Sequence, residues 1–77
     1  MITDARLNKM TSGIIDAIEA ARAQQGLSVR EVAEKSGVSM NYIYMILRNE
    51  HKPSIDILVK VLSALNLSLS VTSDDAN

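Results

Sequence analysis

Cysteine, phenylalanine and tryptophan are absent from the 77 residues, and histidine and proline occur once each. Without cysteine the chain has no disulfides and no thiolate metal ligands. Without Phe or Trp, a core has to be assembled from Ile, Leu, Val, Ala and Met, and the apolar residue types make up 47% of the chain. No apolar run approaches the roughly 18 residues that a membrane span needs, and no signal-peptide pattern opens the chain, so a cytoplasmic location is expected. One histidine, no Gly-rich phosphate loop and no paired carboxylates within an expected cleft leave no catalytic set, and no enzyme is expected. The length allows one domain without a linker. A core of that size is marginal by surface-to-volume scaling, which makes oligomerisation a natural source of further stability.

What the chain does have is periodicity. Residues 1–10 lack a clean period and are expected to form a loose arm or a short frayed helix. Thr11 or Ser12 is placed to cap the helix that follows, in which Ile14, Ile18 and Ala21 share one face. Gly26 ends that helix, and Leu27 leads on as a buried connector. Ser28-Val29-Arg30-Glu31 fits a capping box, in which each of the Ser28 and Glu31 side chains accepts from the other residue's backbone amide. The short helix behind it turns Val29, Val32 and Ala33 inward, and Gly37 supplies the left-handed residue that stops it.

After Val38, Ser39 caps a third helix running to about Arg48. Ile43, Ile46 and Leu47 form its buried stripe, with Met40, Asn41, Tyr44, Met45 and Arg48 on the opposite side. Asn49 is a stop, and His51-Lys52-Pro53 is a loop. Ser54 caps the last long helix, where Ile55, Leu58, Val61, Leu62 and Leu65 make a broad apolar stripe. Beyond Asn66 the period falls from 3.6 to 2, because Leu67, Leu69 and Val71 alternate with Ser68, Ser70 and Thr72. Such a strand has no partner within its own subunit. Antiparallel pairing with a symmetry mate is the economical solution, which makes Leu67, Leu69 and Val71 the expected dimer interface. The polar stretch from Ser73 to Asn77 is expected to be disordered.

Two short helices across a Gly-centred turn, then a loop and a third amphipathic helix, form the layout of a helix-turn-helix whose second helix is presented to a DNA groove. The residues that carry it are Leu27-Ser28, Val32-Ala33, Gly37-Val38-Ser39, Ile43, Lys52-Pro53-Ser54 and Leu58 through Ala64-Leu65. Over roughly residues 12–67 they resemble the Cro/repressor (XRE) family of bacterial and phage helix-turn-helix proteins. Arg22 also sits where that family often has a buried or capping arginine. The resemblance implies an all-α, lambda-repressor-like domain of four to five helices, with a short C-terminal β-strand pairing across a dimer. In these terms residues 1–11 are an N-terminal arm, 12–66 the helix-turn-helix domain, 67–72 a dimerisation strand and 73–77 a disordered tail. The ending LNLSLSV resembles the small antitoxins of Hip-type toxin–antitoxin operons, whose homodimer represses its own operon and binds a kinase-like toxin. Three positions depart from the family pattern. Val29 stands where members commonly carry a glutamine that contacts phosphate, Leu47 where they carry glutamate, and Asn49 where they carry glycine.

The resemblance places the helix from Ser39 to Arg48 in the major groove of double-stranded DNA, with Met40, Asn41, Tyr44 and Met45 as base-reading candidates. Asn41 is the clearest of them, since its amide can make two hydrogen bonds to an adenine edge. Met40 and Met45 suit thymine methyls, and Tyr44 suits sugar packing or a hydroxyl contact. The same Met and Tyr side chains equally suit a protein-docking surface, or a methionine folding back into the core. Arg30, Arg48 and Lys52 are the phosphate candidates, helped by the backbone amides that open the helix at Ser28 and by the Tyr42 hydroxyl. For Arg30 the competing expectation is a surface ion pair with Glu34. His51 has no second ligand nearby and reads as a solvated loop residue in preference to a metal site, with a phosphate contact a lesser option.

Net charge is −1, from 8 basic and 9 acidic residues. Between Arg22 and Lys60 six basic and four acidic residues give +2, and the flanks carry the remaining −3. A positive centre with acidic ends is compatible with DNA binding, but phosphate neutralisation per subunit is modest and a dimer would double it. The expected function is a repressor or autoregulator that binds a palindromic operator as a homodimer. The alternative is an antitoxin or adaptor whose main partner is another protein, docked through the Met/Tyr face.

Overall fold

Each helix begins at a side-chain hydroxyl. In the computed structural model, which describes residues 1–73, the hydroxyls of Thr3, Ser28, Ser39 and Ser54 accept from the backbone amides of Arg6, Glu31, Tyr42 and Ile57. The helices they open are α1 (Asp4–Gln24), α2 (Val29–Ser36), α3 (Met40–Leu47) and α4 (Ile55–Ala64). These caps satisfy amides that the first turn of a helix otherwise leaves without partners. The capping box expected at Ser28 is complete, for the Ser28 amide donates to the Glu31 carboxylate at 2.9 Å.

The helix ends are equally local in origin. Gly26, Gly37, Asn49 and Asn66 all have φ between 57 and 73°, the left-handed conformation in which a helix stops. After three of them the next amide reaches back five residues: Leu27 to Arg22 O, Glu50 to Met45 O and Leu67 to Leu62 O, at 2.8–3.0 Å. Leu27 and Leu67 then pack against the core, so the same bonds that close α1 and α4 set the direction of the chain beyond them. At Gly37 the turn occupies residues 37–39 between α2 and α3, with Val38 buried at the corner.

The core comprises Ile18 and Ala21 of α1, Val32 of α2, Val38, Ile43 of α3, and Val61 and Leu62 of α4 with Leu65 just beyond it. α2 packs on both α4 and α3, and α1 lies against α3. Ile18, Val32, Ile43, Val61 and Leu65 are the most completely enclosed. At about 1.5–3 kcal/mol per buried aliphatic side chain, this group is the main fixed support beneath α3. Gln25 adds a polar tie, its amide donating to Leu65 O at 2.7 Å and linking the C-terminal ends of α1 and α4.

Several expectations are corrected. The N-terminal arm of residues 1–11 is instead the first part of α1, which starts at Asp4 under a Thr3 cap. Neither Thr11 nor Ser12 caps a helix, and the Thr11 hydroxyl donates back to Leu7 O within α1 at 2.8 Å. Residues 1–10 are all exposed, so this part of the helix rests on local bonding and not on the core. Ile55, placed on the buried stripe of α4, is 72% exposed, and Ile57 packs against the core in its place. Ile14 is likewise exposed. Among the described residues there are four helices, within the expected four to five, and residues 67–73 carry no regular secondary structure in the single chain. Of the expected interface residues, Leu67 is partly buried on its own subunit's core while Leu69 and Val71 are exposed. The expected disordered tail from Ser73 runs into residues 74–77, which lie outside the described residues.

Candidate functional site

α3 is fixed from below and open from above. Ile43 and Ile46 hold its inner face in the protein interior, with Tyr42 and Leu47 half-buried on either side. Asn41, Met40, Tyr44 and Arg48 are exposed and Met45 is partly so, which brings together the base-reading candidates and one phosphate candidate on a single outward surface. Neither Met40 nor Met45 joins the core or its packed border. The Asn41 amide approaches the Met45 sulfur at 3.8 Å, a weak contact that leaves its oxygen open. The Arg48 guanidinium lies over the Tyr44 ring, 5.4 Å from its centroid, so these two side chains brace each other at an exposed site.

The two edges of this surface differ. On one side a groove is lined by Ile15 and Arg22 of α1, Ser28 and Val29 at the start of α2, and Tyr44 and Leu47 of α3. Arg22 is absorbed into the fold here: it donates to Leu27 O at 2.6 Å and makes two bonds to the Glu19 carboxylate. The hydrogen bonds from Arg22 hold the Glu19 carboxyl below its ordinary range, and Glu19 in turn keeps the guanidinium charged. Arg22 therefore positions the α1–α2 connection and is not a free cation. Arg30 is free. It makes no hydrogen bond or ion pair with any described residue, so the expected Glu34 pair does not form. The Ser28 hydroxyl serves as the α2 cap, and the Ser28 backbone and side chain together lower the Glu31 carboxyl.

On the other side lies the loop from Asn49 to Pro53. The His51 ring meets Tyr42 edge-on, with centroids 4.9 Å apart, and His51 Nε2 is 2.9 Å from the Tyr42 hydroxyl. Lys52 is exposed next to it and makes no ion pair with a described residue. Under the loop, an apolar cleft of about 160 Å³ is lined by Thr11, Ile14, Ile46, Pro53 and Leu58 among others. Sequence reasoning named Tyr42 and Lys52 as phosphate candidates but missed the Tyr42–His51 pair. The only signal for it was an aromatic near the start of a helix and a histidine just past its end.

The turn geometry and the outward α3 surface describe a helix-turn-helix, and the sequence agrees. A helix-turn-helix family model, HTH_3, matches residues 18–71, most of the chain. The chain belongs to the Cro/repressor (XRE) helix-turn-helix family. It is 39% identical over 61 residues to the transcriptional regulator ClgR of Mycobacterium tuberculosis, covering 79% of this chain and 54% of ClgR. To the HTH-type transcriptional regulator SinR of Bacillus subtilis it is 39% identical over 59 residues, covering 75% of this chain and 53% of SinR. The chain thus spans about half the length of these curated relatives. No solved structure gives a significant match. Among the described residues, no helix is long and apolar enough to cross a membrane.

Proposed function

We propose that the chain is a sequence-specific DNA-binding transcriptional regulator, acting in the cytoplasm as a homodimer on a palindromic operator and repressing by occluding a promoter. One observation carries this reading. α3 offers Asn41, Tyr44 and Met40 outward from a helix whose inner face is locked into the core, while Arg30 on α2 and Lys52 in the loop after α3 are exposed cations without a hydrogen bond or ion pair to a described residue. A helix in the major groove needs readers on the exposed surface and phosphate contacts to both sides. Asn41 reads an adenine edge, Met40 and Met45 meet thymine methyls, and Tyr44 stacks on sugar under the Arg48 guanidinium. Ser28 and the opening amides of α2 meet one phosphate strand with Arg30, and Tyr42 and Lys52 meet the other. The missing glutamine at Val29 leaves Arg30 as the side-chain contact at that edge. Regulators make up the named relatives, which supports a binding role and speaks against an enzyme.

Dimerisation by antiparallel pairing of residues 67–72 supplies the two-fold symmetry, with half-sites about one DNA turn, ~34–36 Å, apart. With Arg30, Arg48 and Lys52 neutralising one phosphate each, log affinity falls against log salt with a slope of about −3 per subunit and about −5 per dimer. A salt titration of binding to duplex DNA measures this, and a flat response would remove phosphate contact from the account.

A second reading, an antitoxin or adaptor that docks a protein partner such as a toxin, draws on the apolar exposure of Met40 and Tyr44. In that case binding through the face is insensitive to salt.

A further inference from the structure

The contact between His51 and Tyr42 is unexplained by the fold. The Tyr42 ring packs against the edge of the core, the ring of His51 is exposed, and neither side chain makes another hydrogen bond with a described residue. Yet the loop holds them in a T-shaped contact with a 2.9 Å hydrogen bond, on the flank of α3 where Lys52 is also exposed. We propose that Tyr42 and His51 form a proton-linked contact for a DNA backbone phosphate, with His51 positioning and polarising the Tyr42 hydroxyl. This deepens the DNA-binding reading and rests on it.

The argument follows from the hydrogen-bond inventory of the pair. In the neutral tautomer with an unprotonated Nε2, the imidazole accepts from the Tyr42 O–H, which turns the hydroxyl inward and leaves only its oxygen lone pairs facing out. Those would repel a phosphate oxygen. An imidazolium has two N–H donors. Nε2–H then donates to the Tyr42 oxygen, the Tyr42 O–H is released to donate outward, and a positive charge sits behind it. Tyr42 O–H, His51 Nδ1–H and the Lys52 ammonium become three donors at one edge of the reading helix, all suited to a phosphodiester. Charge-assisted bonds of this kind are about twice as strong as neutral ones.

Tyr42 is the titratable group that touches the ring, and Glu50 and Lys52 are its chain neighbours. The elements lining the cleft beneath the loop contribute Thr11, Ile14, Ile46 and Leu58, none of which titrates. Histidine is the side chain whose charge ordinarily changes between pH 5 and 8. Phosphate diesters keep their charge throughout that range, so protonation on the protein side sets the pH dependence.

The test is the affinity of the full chain for a labelled duplex of mixed sequence, at about 50 mM salt, from about pH 8 down to about pH 6. Mixed sequence suffices because phosphate contacts carry no sequence information. The wild type is expected to tighten by about tenfold over this span, with the salt slope steepening by about 0.9 per subunit, or about 1.8 for the proposed dimer, as each subunit neutralises one more phosphate. His51→Gln, which keeps a hydrogen-bonding side chain but does not titrate, is expected to bind at the wild-type level of pH 8 and to stay flat. Tyr42→Phe is expected to lose most of the gain at low pH while the phenyl ring keeps the edge-on packing against His51, with thermal melting checking that each variant is folded. A folded His51→Gln with the wild-type pH profile overturns the proposal and leaves DNA binding intact. Absence of duplex binding at every pH overturns both.

Discussion

At the residue scale, the reading surface depends on side chains that the fold leaves unused. Asn41 is the one whose loss has a distinctive signature, because its amide makes bonds that only one base edge can return. Asn41→Ala is expected to lower discrimination at a single base position by about 1–3 kcal/mol, with little change in binding to unrelated duplexes. Competition binding against singly substituted duplexes measures it. Two carboxylates give the molecule an acid limit. Glu19 is lowered by the Arg22 hydrogen bonds and Glu31 by the Ser28 amide and hydroxyl. A carboxyl depressed in the folded state contributes stability that is complete above its unfolded value, near 4.3, and is lost as pH falls below that through the folded value. The melting temperature of the wild type is therefore expected to fall between about pH 5 and about pH 3. Glu31→Gln is expected to shrink that fall, starting from a lower melting temperature at neutral pH. Most of these residues were legible because a type and a position coincide: Asn on an outward helical face, Ser three residues before Glu. Pairings across elements were not. Nothing in the spacing of Tyr42 and His51, or of Gln25 and Leu65, distinguishes a contact from coincidence, because the loop path that joins them is set by tertiary packing.

At the scale of elements, caps and stops decide the boundaries. Ser28 both opens α2 and fixes the entry to the turn that orients α3. Ser28→Ala removes one half of the capping box and is expected to cost about 1 kcal/mol. For a domain of this size that corresponds to a melting temperature lower by about 4–8 °C, measurable by circular dichroism. Three helices were legible almost to the residue, since a hydroxyl at each start and a Gly or Asn at each end are local signals. The first helix was not. Its opening turns expose every residue, so no apolar stripe marks them, and the Thr3 cap was passed over for Thr11 and Ser12. Ile55 was misplaced for a related reason. The first turn of α4 overhangs the core, and Ile57, two positions along, is the residue that turns under.

For the whole molecule, the proposed dimer converts one reading helix into a symmetric pair. The alternation from Leu67 to Val71 supplies the pattern, and the exposure of Leu69 and Val71 leaves apolar side chains for a partner to cover. Leu67 packs inward on its own core and is expected to matter for folding more than for association. Leu69→Asp is expected to give a folded monomer by light scattering or sedimentation, with weaker DNA binding and a salt slope about half that of the dimer. A variant that stays dimeric places the interface elsewhere.

The central claim is that α3 reads a defined DNA sequence. Selection of bound duplexes from a random pool, at about 150 mM salt so that non-specific contacts are screened, tests it most directly. The predicted result is a palindromic consensus with half-sites one helical turn apart. No enriched sequence from a dimer that is intact in solution would contradict it, and would assign the exposed Met40 and Tyr44 to a protein partner.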